Sequence, residues 1–225
     1  MIKAALFDLD ETLIDRRSSA AEFLKVQYRE LVAQHFGDAI SEEQYAAYYF
    51  KLEEEGLVKK TDLYPALVAA LGLPSEASGQ LLGHFRLRYP DMARPMEGAR
   101  EALEALRRGG LACAVISNGE GMVQRKKIEV TGIADLIEFA LISGELGIRK
   151  PDRQIFAMAA ERLGVPPAEC VFIGDNPTAD VMGALNAGMS AVYFGNIKTW
   201  PPELAKPSHA CSSFSDIVTL VANLE

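Results

Sequence analysis

Five short apolar runs punctuate this chain: KAALFDLD (Lys3 to Asp10), LACAVISNG (Leu111 to Gly119), FALIS (Phe139 to Ser143), CVFIGD (Cys170 to Asp175) and SAVYFGN (Ser190 to Asn196). Each is nearly continuously apolar rather than alternating, which suits strands buried on both faces in a parallel sheet covered by helices. Helical patterns lie between them: GAREALEALRRGG is closed by glycines, and PDRQIFAMAAERLGV opens at Pro151 and stops near Gly164. Strand and helix in alternation predict right-handed crossovers and an α/β fold, a doubly wound, Rossmann-like parallel sheet in three layers. Ligands of such sheets bind beyond the carboxyl ends of the strands. The polar residues that terminate the apolar runs are therefore where chemistry is expected.

One region breaks the alternation. From Arg16 to Met92 the sequence reads as successive amphipathic helices, among them SSAAEFLKVQYRELVAQHF, SEEQYAAYYFKLEEEG, TDLYPALVAALG and EASGQLLGHFRLRY. These can form a small bundle of their own, inserted after the first strand. The predicted organisation is a catalytic core of residues 1–15 and 93–225 and a helical module of residues 16–92. Helical spacing assigns the aromatic stripe Tyr45, Tyr48, Tyr49 and Phe50 to the core of that module. Near the C-terminus KTWPPELAKPSH reads as a proline-rich surface loop with Trp200 as its anchor, and SFSDIVTLVANL as a final helix with a serine start.

The composition, 49% hydrophobic and 24% charged, is that of a folded globular chain. A formal charge of -8 argues against nucleic acid or an anionic membrane as partner, since both favour basic surfaces. No protein partner is implied. Three widely spaced cysteines without a CxxC pattern signal neither a disulfide framework nor zinc. No signal-peptide pattern or membrane-length apolar stretch is evident, so the expected location is the cytoplasm.

Asp8 and Asp10 end the first apolar run, and Asp175 ends another, with Asp180 early in the helix that follows. Alternation along an extended chain points Asp8 and Asp10 to one side. Two like charges about 4 Å apart at an effective dielectric near 20 repel by roughly 4 kcal/mol, about three pKa units. A bound divalent cation removes that repulsion, and an oxygen-only ligand set favours a hard ion such as Mg²⁺. Ser117, Asn118 and Gly119 offer a hydroxyl and main-chain N–H groups to phosphate oxygens. Lys150, just before a helix, can neutralise charge on a transferring phosphoryl group.

The set Asp8-Leu9-Asp10-Glu11-Thr12, Ser117-Asn118, Lys150-Pro151 and Gly174-Asp175 through Asp180 resembles, in order and spacing, the motifs of the haloacid dehalogenase superfamily. The resemblance implies that Asp8 attacks phosphorus and forms an aspartyl-phosphate, while Asp10 protonates the leaving oxygen and later activates water. It implies that Thr12 steadies Asp10 and its loop, and that Ser117, Asn118 and Lys150 form the phosphoryl-binding group. Mg²⁺ would be held by Asp8, the main-chain carbonyl of Asp10, and Asp175, with Asp180 behind them. The helical insertion resembles the family's type-one cap. Asp10 favours ester hydrolysis over carbon–halogen cleavage, and Glu11 stands where many relatives carry glycine. The implied activity is a Mg²⁺-dependent phosphatase acting on a small phosphorylated metabolite. A sugar phosphomutase using the same residues and a binding module without chemistry are the competing readings.

Overall fold

A computed structural model describes residues 1–36 and 40–224. Residues 37–39 and 225, which the sequence-based ranges for helical module and core include, lie outside the described residues. Six parallel strands form one sheet: β1 (Ala4–Phe7), β2 (Ala112–Ser117), β3 (Ala140–Ile142), β4 (Cys170–Gly174), β5 (Ser190–Phe194) and β6 (His209–Cys211). Their order is β3-β2-β1-β4-β5-β6. The chain reverses its winding between β1 and β4, the position where doubly wound sheets bind ligands. Five strands coincide with the five apolar runs. The sixth coincides with none: its three half-buried residues open on His209, the last residue of the proline-rich segment expected as a loop, and carry no apolar run.

The chain divides into two compact units, residues 1–16 with 94–225, and residues 17–93. In the first, helices α5 (Ala99–Arg108), α6 (Gly121–Val130), α7 (Arg153–Leu163) and α8 (Phe214–Ala222) accompany the sheet. Asp152 caps α7 by accepting from Gln154 N at 2.9 Å, and Ser213 caps α8 by accepting from Asp216 N at 3.4 Å. Phe156 and Phe172 pack edge-to-face, centroids 5.1 Å apart, joining α7 to β4. Trp200 is buried against Tyr193 at 5.0 Å, so its loop is anchored as expected. Among the described residues no helix is long and apolar enough to cross a membrane.

The second unit is helical: α1 (Arg16–Gln27, beginning one residue before the unit), α2 (Glu42–Glu53), α3 (Lys60–Ala70) and α4 (Ala77–Arg88). Ser41 and Gln44 form a reciprocal capping box at the start of α2. Its centre is polar as well as apolar. The buried Gln27 amide oxygen accepts from Tyr45 Oη at 2.7 Å and Tyr64 Oη at 3.1 Å, while its nitrogen donates to the Leu81 carbonyl at 2.8 Å. Only half of the aromatic stripe is core: Tyr45 and Tyr49 are buried, whereas Tyr48 is exposed and Phe50 carries the Arg17 guanidinium 5.2 Å above its ring. Adjacent helical positions differ by about 100°, so four aromatics within six residues cannot all face inward.

Candidate active site

β1 ends at Phe7, and the next main-chain N–H still donates to β4, Asp8 N to Ile173 O at 2.9 Å. That bond carries the strand pairing one residue past the apolar run and sets Asp8 beside the end of β4, where Asp175 follows Gly174. Beyond Asp8 the chain turns instead of staying extended. Ile14 N donates to Leu9 O, and Glu11 N to Ile14 O, each at 2.8 Å. Glu11 takes the left-handed conformation, φ +61°, which favours glycine. Its carboxylate lies 3.3 Å from the Arg16 guanidinium, a charged contact that glycine could not make.

Asp8, Asp175 and Asp180 offer carboxylate oxygens that all lie within 4.8 Å of one another. Lys150 Nζ pairs with Asp8 Oδ1 and lies 2.7 Å from Asp180 Oδ1. The second Asp180 oxygen accepts from Asn176 N at 2.9 Å. Asn176 in turn caps the following turn by accepting from Thr178 N and Ala179 N at 3.0 and 2.8 Å. A side chain at residue 174 would collide with the Asp180 carboxylate, so Gly174 is what admits it.

Burial, with Asp180 and Asp10 nearby, pushes the Asp8 carboxyl up to about 7 despite Lys150. Burial with Asp8 and Asp180 pushes Asp175 up to about 8. Burial works against the Lys150 ammonium, but Asp180 and Asp8 outweigh it and hold the group charged. The protein's own charges thus leave this corner over-supplied with carboxylate. A three-carboxylate oxygen donor set fits a hard divalent cation, which would offset that excess.

A carboxyl whose folded pKa is raised binds protons more tightly in the folded state, so its contribution declines as pH rises from about 4 towards 8. Protein stripped of divalent cations should therefore gain several degrees of melting temperature from Mg²⁺ at pH 8 and distinctly less at pH 5, taking one pKa unit as about 1.4 kcal/mol and about 2–4 °C. Equal gains at both pH values in calorimetry would exclude the acid cluster as the cation site.

Asp10 stands apart from the three. Lys127 Nζ lies 2.6 Å from its Oδ1 and Gln124 Nε2 donates to its Oδ2 at 2.7 Å. Burial raises the Asp10 carboxyl, but Lys127, Gln124 and Arg16 outweigh burial and hold it below the usual range. The four acids of the two motifs therefore divide three and one, with the Asp10 side chain drawn to its own cation.

Two further expectations meet different partners. Thr12 directs its hydroxyl to Asp175 Oδ1 at 3.3 Å instead of Asp10. The Asn118 side chain donates to Lys150 O and accepts from Lys150 N, both at 3.0 Å, so it fixes the lysine's main chain. Ser117 is buried at the end of β2, with its Oγ 2.7 Å from Gln124 Nε2. Gln124 and Lys127 escaped the sequence reading because α6 went unassigned. Their signal is their spacing: with Val123 and Ile128 they form the buried face of one helix.

With this geometry in view, the model of the haloacid dehalogenase-like hydrolase family matches residues 2–188. The chain belongs to that family. It is 41% identical over 133 residues to a phosphoserine phosphatase of Thermus thermophilus, a match covering 57% of this chain and 51% of the relative, so it spans about half of that protein's length. It is 30% identical over 200 residues to a glyceraldehyde 3-phosphate phosphatase of Methanopyrus kandleri, covering 85% of this chain and 83% of the relative. The structure of the HAD hydrolase YfnB from Bacillus subtilis, bound to magnesium, superposes with a TM-score of 0.78 at 20% identity over 99% of each chain, a likeness of fold. Within the family this chain is an enzyme of the phosphoric monoester hydrolase class.

Proposed function

We propose that this haloacid dehalogenase-like hydrolase is a Mg²⁺-dependent phosphatase that acts on a small phosphorylated metabolite through an aspartyl-phosphate on Asp8. The observation that carries the reading is the division of two carboxylates, two residues apart, between two lysines: Asp8 on Lys150 and Asp10 on Lys127. One acid is thereby fixed beside the Asp175–Asp180 cluster, and the other is held away from it.

Asp8 Oδ1 is held by Lys150, which leaves Oδ2 as the attacking oxygen. As the new bond to phosphorus forms, the bond to the ester oxygen breaks and that oxygen takes a proton from Asp10. Asp10 rests ionised, so it must acquire that proton before it can deliver it. In the second half Asp10 accepts a proton from water, the water oxygen bonds to phosphorus, and the bond to Asp8 breaks, releasing phosphate. Ser117 and Lys150 bind phosphoryl oxygens, while Asn118 and Thr12 fix Lys150 and Asp175 respectively. Asp8, the Asp10 carbonyl and Asp175 would hold Mg²⁺, whose charge offsets that of the carboxylates and the phosphoryl group; Asp180, bound to Lys150 and Asn176, positions them. The helical unit, inserted between Asp10 and Ser117 in the chain, is the counterpart of the family's type-one cap, an element that would decide which ester is accepted.

Purified protein should release inorganic phosphate from 4-nitrophenyl phosphate with Mg²⁺, and lose that activity on EDTA treatment until Mg²⁺ is restored. A panel of phosphate esters that gives no phosphate with Mg²⁺ would remove the reading, and isomerised product without net phosphate would replace it with a mutase.

A further inference from the structure

Gln124 and Lys127 belong to none of the motifs that carry the family resemblance, yet both converge on Asp10 and each is only 2% exposed. Glutamine and lysine are seldom fully buried, and burying them costs free energy unless their polar atoms are partnered. The partners here are reactive-site groups. The Gln124 amide nitrogen lies 2.7 Å from both Asp10 Oδ2 and Ser117 Oγ, and Lys127 takes Asp10 Oδ1 at 2.6 Å. An amide nitrogen carries two hydrogens, so Gln124 can serve both oxygens at once. A Ser117 oxygen that accepts from Gln124 keeps its own single hydrogen to donate elsewhere.

A second observation shows that the main chain makes room for this bridge. A methyl group at residue 119 would lie 2.9 Å from the Gln124 Cγ and Cδ atoms and 3.0 Å from Nε2. The glycine after Ser117-Asn118 thus admits the Gln124 side chain, apart from any service its own N–H gives to Ser143 at 3.1 Å.

We propose that Gln124 is a positioning residue that ties the proton carrier Asp10 to the phosphoryl-binding hydroxyl of Ser117, with Lys127 fixing the other Asp10 oxygen. The inference rests on the reading of Asp10 as general acid and base. Its consequence is that the proton to be delivered and the phosphoryl group are held in one frame, so a loosened Asp10 slows departure of the leaving group more than binding.

Leaving-group dependence separates this role from a merely structural one. Phenyl phosphate and 4-nitrophenyl phosphate differ little in shape, but phenolate needs protonation on departure far more than 4-nitrophenolate does. Gln124→Met should lower kcat/KM for phenyl phosphate about 10- to 100-fold and that for 4-nitrophenyl phosphate several-fold less. Lys127→Met should show the same inequality, with partial rescue by Lys127→Arg. Gln124→Met keeps the volume and introduces no charge, so it carries the test if Lys127→Met fails to fold. Equal losses on both substrates, or none, in a Gln124→Met protein that melts like the parent would overturn the proposal while leaving the phosphatase reading intact. An active parent whose Asp10→Asn variant keeps full activity on phenyl phosphate would overturn the proposal together with the reading of Asp10 as general acid and base.

Discussion

Asp8→Asn should lower Mg²⁺-dependent turnover by at least ~10⁴-fold, the scale on which removal of a covalent nucleophile acts, while the protein stays folded. The substitution keeps the side chain's shape at a buried position and replaces an anionic oxygen nucleophile with a neutral amide. Folding should not suffer, since burial and two neighbouring acids already push the Asp8 carboxyl up to about 7. Removing one member of the cluster relieves repulsion on Asp175, and Lys150 retains Asp180 at 2.7 Å. The melting temperature without divalent cation should be equal to or above that of the parent. Steady-state kinetics beside calorimetry gives the answer: a folded Asp8→Asn protein with turnover within tenfold of the parent would reassign the nucleophile. Acid-quenched protein incubated with a ³²P-labelled ester should carry label in the parent and none in the variant.

The sheet could be read from the chain because burial on both faces imposes continuous apolar runs, and the chemistry because a doubly wound sheet concentrates it where those runs stop. Ser117 and Asp175 are legible in that way, and Lys150 from its place just before a helix. What escaped depends on side-chain reach between elements far apart in sequence. Nothing local to Asn118 announces that its amide bonds both the N–H and the carbonyl of Lys150. Nothing local to Asp10 announces a cation on the helix following β2. Arg16 is buried beside Glu11. The pair gives a physical account of glutamate at a left-handed position: part of the conformational cost is offset by an ion pair with limited exposure to water. β6 was missed for the opposite reason, since a short edge strand needs no apolar face to hold its place.

Lys150→Met should be the most destabilising single substitution at the site. One ammonium, 3% exposed, pairs with Asp8 and Asp180, and the cluster it serves includes Asp175. Breaking a buried pair by removing one partner costs about 3–5 kcal/mol because the other charge is left uncompensated, which corresponds to a fall in melting temperature of roughly 6–20 °C for a chain of this size. The sign of its pH dependence distinguishes this origin from lost packing. Lys150 has its pKa raised in the folded state, so its contribution is fully present throughout the neutral range and is lost only at strongly alkaline pH. The carboxylates it leaves behind can discharge themselves by taking protons, so the deficit relative to the parent should shrink as pH falls from 8 to 5. A deficit independent of pH would instead identify lost methylene packing, such as the contact that places Nζ 5.1 Å over the Phe172 ring. Mg²⁺ at pH 8 should recover part of the stability by binding the freed carboxylates. It should not restore turnover, which is expected to stay about 10²- to 10³-fold below the parent because the charge aimed at the transferring phosphoryl group is gone. A variant that regains both stability and rate with Mg²⁺ would show that the lysine serves only to neutralise the acids and takes no part in binding the phosphoryl oxygens.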